Sequence, residues 1–201
     1  KSERKIKKGT CDMKKKALIW LLCLLMAFCA VPGSADAAES ETIDIKSGQD
    51  LVNAADRINA AAEEEAFVLN ILDNISVSGK INLKRGNVTI YGGGYVLTVS
   101  GGITAEGNTV LNLGAEDYPG TLQLTNGGSM GTILTLYDNS RLNVYDGVTI
   151  GPSTSPGTPA GVATYDLSEF NMYGGKITDC VNLYSVTGGV YIENSSVFNM
   201  Y

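Results

Sequence analysis

The pattern of apolar and polar residues divides the chain into three parts. Residues 17–31 form an almost unbroken apolar run. Farther along, apolar residues recur at the spacing of an amphipathic helix, at Leu51, Ala54, Ala55, Ile58, Ala61 and Ala62. After Glu65, short β-branched and aliphatic runs alternate with Gly, Asn and Asp. The pattern predicts a leader, one helix over residues 48–64 and a strand-rich body.

The strand-rich body shows no second helical pattern. Its apolar runs are residues 67–71, 75–77, 88–91, 95–99, 110–113, 122–124 and 133–137. Ser47-Gly-Gln-Asp50, directly before the helical pattern, has the spacing of a capping box and predicts that the helix begins there. Strands without alternating helices argue against an α/β layer fold.

Residue types in the last third of the chain recur every 28 residues. Leu142-Asn143-Val144-Tyr145 returns as Phe170-Asn171-Met172-Tyr173 and as Phe198-Asn199-Met200-Tyr201. The same shift aligns Ser140, Ser168 and Ser196, and also Asp138, Asp166 and Asn194. At about 3.3 Å per residue, one repeat makes a circuit of about 90 Å, and circuits stack about 4.8 Å apart. Residues 66–201 would hold about five such coils.

The repeats predict an all-β solenoid whose like residues form ladders along the axis. Alternation in each strand places Leu142, Val144 and their counterparts inside and Asn143 and Tyr145 outside. The amphipathic helix would cover the exposed strand edge of the first coil. The predicted organisation is a leader at 1–37, a segment with the capping helix at 38–65, and coils at 66–201. Tyr201 falls in mid-repeat, so we expect the natural protein to continue.

The leader has the three parts of a secretory signal peptide. Lys14, Lys15 and Lys16 precede the apolar run, and Ala35-Asp36-Ala37 follows it. The run of about 15 residues is shorter than the roughly 20 that span a bilayer, which favours cleavage after Ala37 over a membrane anchor. Residues 1–12 precede Met13, a candidate true start, and are either an upstream extension or untranslated.

Cleavage would leave a strongly acidic chain. Residues 1–37 contain eight of the 15 basic and three of the 21 acidic residues, so 7 basic and 18 acidic residues remain, a net charge of −11. Nucleic acid is therefore not an expected partner, because its phosphates need Lys and Arg. Of the four cysteines only Cys180 remains, which excludes an intrachain disulfide and favours a small packing role. We expect an extracellular or cell-wall-associated protein with no membrane contact after cleavage.

Several motifs resemble one family. Residues 87–98, Asn-Val-Thr-Ile-Tyr-Gly-Gly-Gly-Tyr-Val-Leu-Thr, resemble the first coil of right-handed parallel β-helix, or pectin-lyase-like, surface proteins of Gram-positive gut bacteria. Residues 170–177 and 188–192 are similar to their internal repeats. The resemblance covers roughly residues 48–201. It implies a right-handed parallel β-helix (solenoid) with an N-terminal capping α-helix, but not a chemistry, because the scaffold carries lyases, hydrolases and non-catalytic adhesins.

The enzymes of this architecture imply sites that the chain does not match. A resemblance to the lyases of this architecture would imply a Ca²⁺ ion bound by carboxylates, with an Arg or Lys nearby as the base. The chain after residue 37 has seven such bases in no recognisable constellation: Lys46, Arg57, Lys80, Lys84, Arg85, Arg141 and Lys176. A resemblance to the hydrolases of this architecture would imply an active site of several Asp residues and an essential His. The chain contains no His. The sequence predicts no catalytic residue and no cofactor.

Two sets of outward residues are candidates for binding. Asp138 and Asp166 occupy one ladder position and could share a metal ion about 5 Å apart, although solvated turn carboxylates are the favoured interpretation. Tyr145, Tyr173 and Tyr201 form an aromatic stripe that could stack on sugars, although stacked tyrosines that simply shield the strand surface are the favoured interpretation. Gly92, Gly93 and Gly94 are interpreted as a turn and not as a phosphate loop, because no helix follows them.

Two functions follow from these features. The first is a secreted or cell-surface, non-catalytic solenoid that contacts glycans or a host or cell-wall surface. The alternative is the N-terminal portion of an extracellular polysaccharide lyase or glycoside hydrolase, with its active site beyond residue 201. Further repeats with a wall-anchoring signal would favour the first, and a later coil rich in carboxylates and bases would favour the second.

Overall fold

The computed structural model describes residues 40–118, 120–129, 131–155, 159–184 and 187–201. The predicted leader, residues 1–37, lies outside these ranges. The described chain forms one α-helix and 19 strands, and every strand pairing is parallel. The strands form a β-solenoid of about six turns, which confirms the fold class predicted from the repeats.

Three sheets run along the solenoid, and a fourth joins them in the later coils. Sheet 1 contains β1 (Glu41–Ile45), β2 (Ala66–Ile71), β5 (Asn87–Tyr91), β8 (Val110–Leu113), β11 (Arg141–Val144), β15 (Glu169–Met172) and β19 (Val197–Met200). Sheet 2 contains β3 (Ile75–Val77), β6 (Val96–Val99), β9 (Leu122–Thr125), β12 (Val148–Ile150) and β16 (Lys176–Ile177). Sheet 3 contains β4 (Ile81–Leu83), β7 (Ile103–Ala105), β10 (Leu134–Leu136), β14 (Val162–Thr164) and β18 (Val190–Ile192). Sheet 4 contains β13 (Ser153–Ser155) and β17 (Cys180–Asn182).

Successive coils differ in length. The steps between paired residues are 21 from Phe67 to Val88, 23 to Leu111, 31 to Leu142, 28 to Phe170 and 28 to Phe198. The coil of 31 residues contains two long loops, residues 114–121 and 126–133. The period of 28 predicted from the sequence therefore applies only to the last coils. Corner loops vary in length because they face solvent, whereas the paired strands keep their register.

The core consists of inward ladders from every sheet. Leu142, Val144 and Phe170 are fully buried, and the Phe170 ring stacks on that of Phe198 with centroids 4.7 Å apart. This confirms the predicted inward face of sheet 1. Met200, on the same side of the last strand, is 74% exposed.

The helix α1 (Gly48–Ala60) begins where the capping box predicts. Ser47 Oγ accepts a hydrogen bond from the Asp50 N–H, and Asp50 Oδ2 accepts one from the Lys46 N–H, over 3.2 and 3.1 Å. The helix ends four residues earlier than predicted, ahead of Glu63, Glu64 and Glu65. Three carboxylates would be unfavourable in the last turn because the C-terminal end of a helix carries partial negative charge.

The helix covers the first coil, as the sequence predicts. Leu51, Ala54, Ala55 and Ile58 join the hydrophobic core. Asn59 completes the cover: its Nδ2 donates to the Asn82 carbonyl and its Oδ1 accepts from the Lys84 N–H, each over 2.8 Å. The side-chain amide thus supplies to the edge of β4 the hydrogen bonds that a further strand would make. Among the described residues, no helix is long and apolar enough to span a membrane.

Candidate functional site

One corner of the solenoid carries an aromatic residue in most coils. This corner is occupied by Tyr91, the last residue of β5, and by the residues that directly follow β8, β11, β15 and β19, which are Gly114, Tyr145, Tyr173 and Tyr201. The strand register continues through this position, since the Tyr145, Tyr173 and Tyr201 N–H groups donate to the carbonyls of Leu113, Val144 and Met172. The parallel pairing therefore brings the three predicted tyrosines together in one column.

We call Tyr145, Tyr173 and Tyr201 the tyrosine ladder. The rings of Tyr145 and Tyr173 have centroids 5.2 Å apart at 21°, and those of Tyr173 and Tyr201 have centroids 4.8 Å apart at 13°. Neighbouring rings cover one another's faces, so a ligand meets mainly ring edges and hydroxyl groups along the ladder. The rings stack in this way because residues one coil apart lie above one another along the axis.

The ladder is interrupted at Gly114. No ring of a described residue stacks on the face of Tyr145 that is turned away from Tyr173. Gly114 adopts a φ of +74°, a conformation that glycine tolerates and that turns the chain into the loop 114–121. Tyr118 of this loop stacks instead on Tyr91, with centroids 4.2 Å apart. One face of Tyr145 is therefore left without an aromatic neighbour.

A cleft lies beside this interruption. It has a volume of about 530 Å³ and is lined by Glu116, Tyr145, Asp146 and Tyr173. We call it the ladder cleft. A smaller cavity of about 410 Å³ is also lined by Glu116, together with Tyr91 and Tyr118. Clefts of this size are in the range that binds small ligands.

The tyrosine hydroxyls of the ladder cleft are free to bind. Within the described chain, the hydroxyls of Tyr145 and Tyr173 form no hydrogen bond. Burial, followed by the neighbouring Tyr173 and the Glu116 carboxylate, raises the pKa of Tyr145 above its ordinary value of 10.0. Its hydroxyl therefore keeps its proton at neutral pH and can both donate and accept a hydrogen bond.

On the outer face of sheet 1, Asn112, Asn143, Asn171 and Asn199 form a second column, which we call the asparagine ladder. Asn143 Nδ2 donates to Asn112, Asn171 to Asn143, and Asn199 to Asn171, over 2.8, 3.1 and 2.9 Å. The alternation along the strands predicts that these side chains lie on the outer face. Asn143 and Asn171 are nevertheless only 9% and 2% exposed.

Asp138 and Asp166 lie at another corner, between sheets 3 and 1. Both have positive φ, 54° and 55°, as does Asn194, with 52°, at the same position of the next coil. Asn194 Nδ2 donates to Asp166 Oδ1 over 3.0 Å. The described residues contain no group of three or more potential metal ligands. The geometry is that of turn residues, which tolerate this backbone conformation, and the shared metal ion stays a prediction.

The aligned serines Ser140 and Ser168 lie on the inner side of this corner, where their hydroxyls form hydrogen bonds. Ser140 is fully buried, and its Oγ donates to the carbonyls of Tyr137 and Ala105. Its Oγ also lies 3.5 Å from that of Ser168. The 28-residue spacing of Ser140 and Ser168 thus reflects a buried hydrogen-bonding role in the turn.

A second pair of stacked tyrosines escaped the sequence analysis. Tyr137 and Tyr165 follow β10 and β14, with centroids 5.0 Å apart at 13°. The repeat could have identified this pair, because Tyr137 and Tyr165 are 28 positions apart. Burial is the largest of the effects that raise the pKa of both hydroxyls above the ordinary value. We call this pair the sheet 3 tyrosines.

The other candidate residues have structural surroundings. Cys180 is half-buried against the core, and burial, with a contribution from Asp179, raises the pKa of its thiol. Gly93 and Gly94 have positive φ in the turn between β5 and β6. Three of the seven bases form ion pairs, Arg57 with Glu41, Lys84 with Glu106 and Arg141 with Glu169.

In comparisons with protein-family models, with curated proteins and with solved structures, nothing matches this chain.

Proposed function

We propose that the chain is a non-catalytic β-solenoid of the extracellular medium or the bacterial cell wall, and that it contacts glycans through the ladder cleft. The observation that carries this proposal is the interrupted tyrosine ladder, which leaves one face of Tyr145 without an aromatic neighbour beside a cleft. Aromatic side chains combine an apolar face with a polar group, and sugars present C–H faces and hydroxyls that match both.

The polar groups of the cleft support a carbohydrate ligand. The hydroxyls of Tyr145 and Tyr173 lie on neighbouring coils, within a ladder whose rings are 5.2 Å apart. A sugar stacked on Tyr145 would place its own hydroxyls near these groups. The ladder is rigid because each ring packs on the next, which reduces the entropy lost on binding.

The charge distribution supports a non-catalytic role. Arg57, Lys84 and Arg141 are engaged in ion pairs on separate parts of the solenoid. None of the described residues that line the ladder cleft is basic, so the cleft lacks the Arg or Lys base of a lyase site. The resemblance to surface proteins of Gram-positive gut bacteria supports the location outside the cell.

A glycan array tests the binding site. The double variant Tyr145→Ala with Tyr173→Ala should abolish the array signal of the full chain, because it removes the stacking face and both hydroxyls. The matched control is Tyr137→Ala with Tyr165→Ala, which removes two stacked tyrosines from another corner and should leave binding intact. Circular dichroism verifies that both variants keep the fold. Binding that survives the first double variant, or that both variants abolish equally, contradicts the proposal.

A fractionation experiment tests the location. When the full chain is expressed in a Gram-positive bacterium, we expect it in the medium or cell-wall fraction, shortened by the leader. Recovery of the uncleaved chain from the cytosol would contradict export.

A further inference from the structure

We propose that the ladder cleft selects glycans that carry a free, positively charged amino group, such as oligosaccharides of unacetylated glucosamine. This proposal rests on the glycan contact proposed above and adds the chemical class of the ligand. It is carried by the combination of an uncovered tyrosine face with carboxylates that no basic side chain neutralises.

The carboxylates of the cleft contrast with three glutamates elsewhere on the solenoid. Glu41, Glu106 and Glu169 each contact a basic side chain within 4 Å. In contrast, Glu116 has no hydrogen bond or ion pair within the described chain. Asp146 accepts one long hydrogen bond, 3.4 Å from the Gly175 N–H to its Oδ1. Both carboxylates therefore retain capacity to accept hydrogen bonds from a ligand.

The sign of the charge decides which sugars fit. Glu116 and Asp146 border the ladder cleft, and Asp117 borders the adjoining cavity, while no described lining residue of the ladder cleft is basic. A concave surface lined by one sign of charge concentrates ligands of the opposite sign. An ammonium group is attracted there, whereas a uronate, the acidic sugar of pectin, is repelled.

The geometry favours an amino sugar over a basic peptide. A pyranose ring offers a rigid C–H face to Tyr145, hydroxyls to the tyrosine hydroxyls and an ammonium group to Glu116 or Asp146. A lysine side chain could meet the carboxylates, but it would lose up to about 2 kcal/mol of rotamer entropy and leave the tyrosine hydroxyls unpaired. The cleft volume of about 530 Å³ also suits a compact ligand.

Isothermal titration calorimetry of the full chain tests the selection. The ligands are the tetramers of glucosamine, N-acetylglucosamine, galacturonate and lysine, at about pH 6 so that free amines are protonated, and at low ionic strength. We expect the glucosamine tetramer to bind about tenfold more tightly than its acetylated counterpart, and galacturonate not to bind.

Charge-neutral variants locate the effect. Glu116→Gln and Asp146→Asn should each weaken the glucosamine tetramer about two- to fivefold, as expected for exposed ion pairs, and leave the acetylated tetramer unchanged. Glu64→Gln, which neutralises an exposed glutamate after α1, is the matched control and should change neither affinity. The wild-type comparison of the four ligands stands even if a variant fails to fold.

The outcomes separate the two proposals. If the glucosamine and N-acetylglucosamine tetramers bind equally, and their binding needs Tyr145, the proposed glycan contact stands and the proposed selection by charge is wrong. If neither tetramer binds and the array is negative, both proposals are wrong. If the lysine tetramer binds as tightly as the glucosamine tetramer, the cleft recognises cations in general and the amino-sugar proposal is overturned.

Discussion

Asn171 donates a hydrogen bond from its Nδ2 to Oδ1 of Asn143 over 3.1 Å, and both side chains are almost completely shielded from solvent. Asn143 in turn donates to Asn112, and Asn199 donates to Asn171. Each inner amide therefore both donates and accepts within the ladder. A one-residue slip of any coil would break these bonds, so the asparagine ladder helps to hold the coils in register.

Asn171→Ala should destabilise the protein more than Asn199→Ala. The first change leaves the Asn143 oxygen and the Asn199 amide without their ladder partners, at a cost of about 1–3 kcal/mol. The second removes only the end of the ladder, where the side chain is half-buried. Urea unfolding of both variants measures the difference. Equal losses would show that the ladder bonds do not contribute cooperatively.

Asn59→Ala should uncover the edge of the first coil. Asn59 satisfies the Asn82 carbonyl and the Lys84 N–H, and because the site is partly exposed we expect a loss of about 1–2 kcal/mol. Asn53→Ala is the matched control on the same helix. It removes a solvent-exposed hydrogen bond from Gln49 and should cost less than about 0.5 kcal/mol. A loss at Asn59 no larger than at Asn53 would contradict the capping role.

Glu169 should make stability depend on acid pH. Hydrogen bonds from Asn171, and then from Arg141, lower the pKa of Glu169 below its ordinary value of 4.5. A carboxyl with a lowered folded pKa adds stability above its unfolded pKa and loses it as the pH falls through the folded value. Glu169→Gln should therefore flatten the stability profile between about pH 5 and pH 3. Arg141→Gln should reproduce part of the effect. An unchanged slope in both variants would rule out this contribution.

Phe170→Ala should destabilise the solenoid more than Phe198→Ala. Phe170 is fully buried between coils, and loss of such a ring costs about 3–5 kcal/mol. Phe198, on which Phe170 stacks, is only partly buried. Midpoints of urea denaturation at constant slope measure both losses. Similar shifts for the two variants would contradict the graded burial of this core ladder.

Each of the seven apolar runs predicted from the sequence matches a strand to within one residue at either end. The runs at residues 75–77 and 110–113 coincide with β3 and β8, because apolar residues at alternate positions face the core. Six short strands, β4, β7, β12, β13, β16 and β17, were missed, since two or three residues show little periodicity. The strand β1 was also missed. It is stabilised by pairing with β2, which lies beyond the helix in the chain.

The candidate site was only partly predictable. The repeat identified Tyr145, Tyr173 and Tyr201 as one column. It did not reveal that Gly114 interrupts the column or that Glu116 lies beside the gap. Residues 114–121 belong to a coil of 31 residues that departs from the period, so no alignment of repeats places them.

The sequence by itself determined that the chain after residue 65 stacks as coils with apolar ladders inside, because a repeated alternation of apolar residues can bury its inner face only against the next repeat. The tertiary structure alone decided where the ladder cleft lies and which groups border it. Those contacts join residues of different coils through loops of unequal length, and their relative positions depend on how each loop packs and not on the repeat.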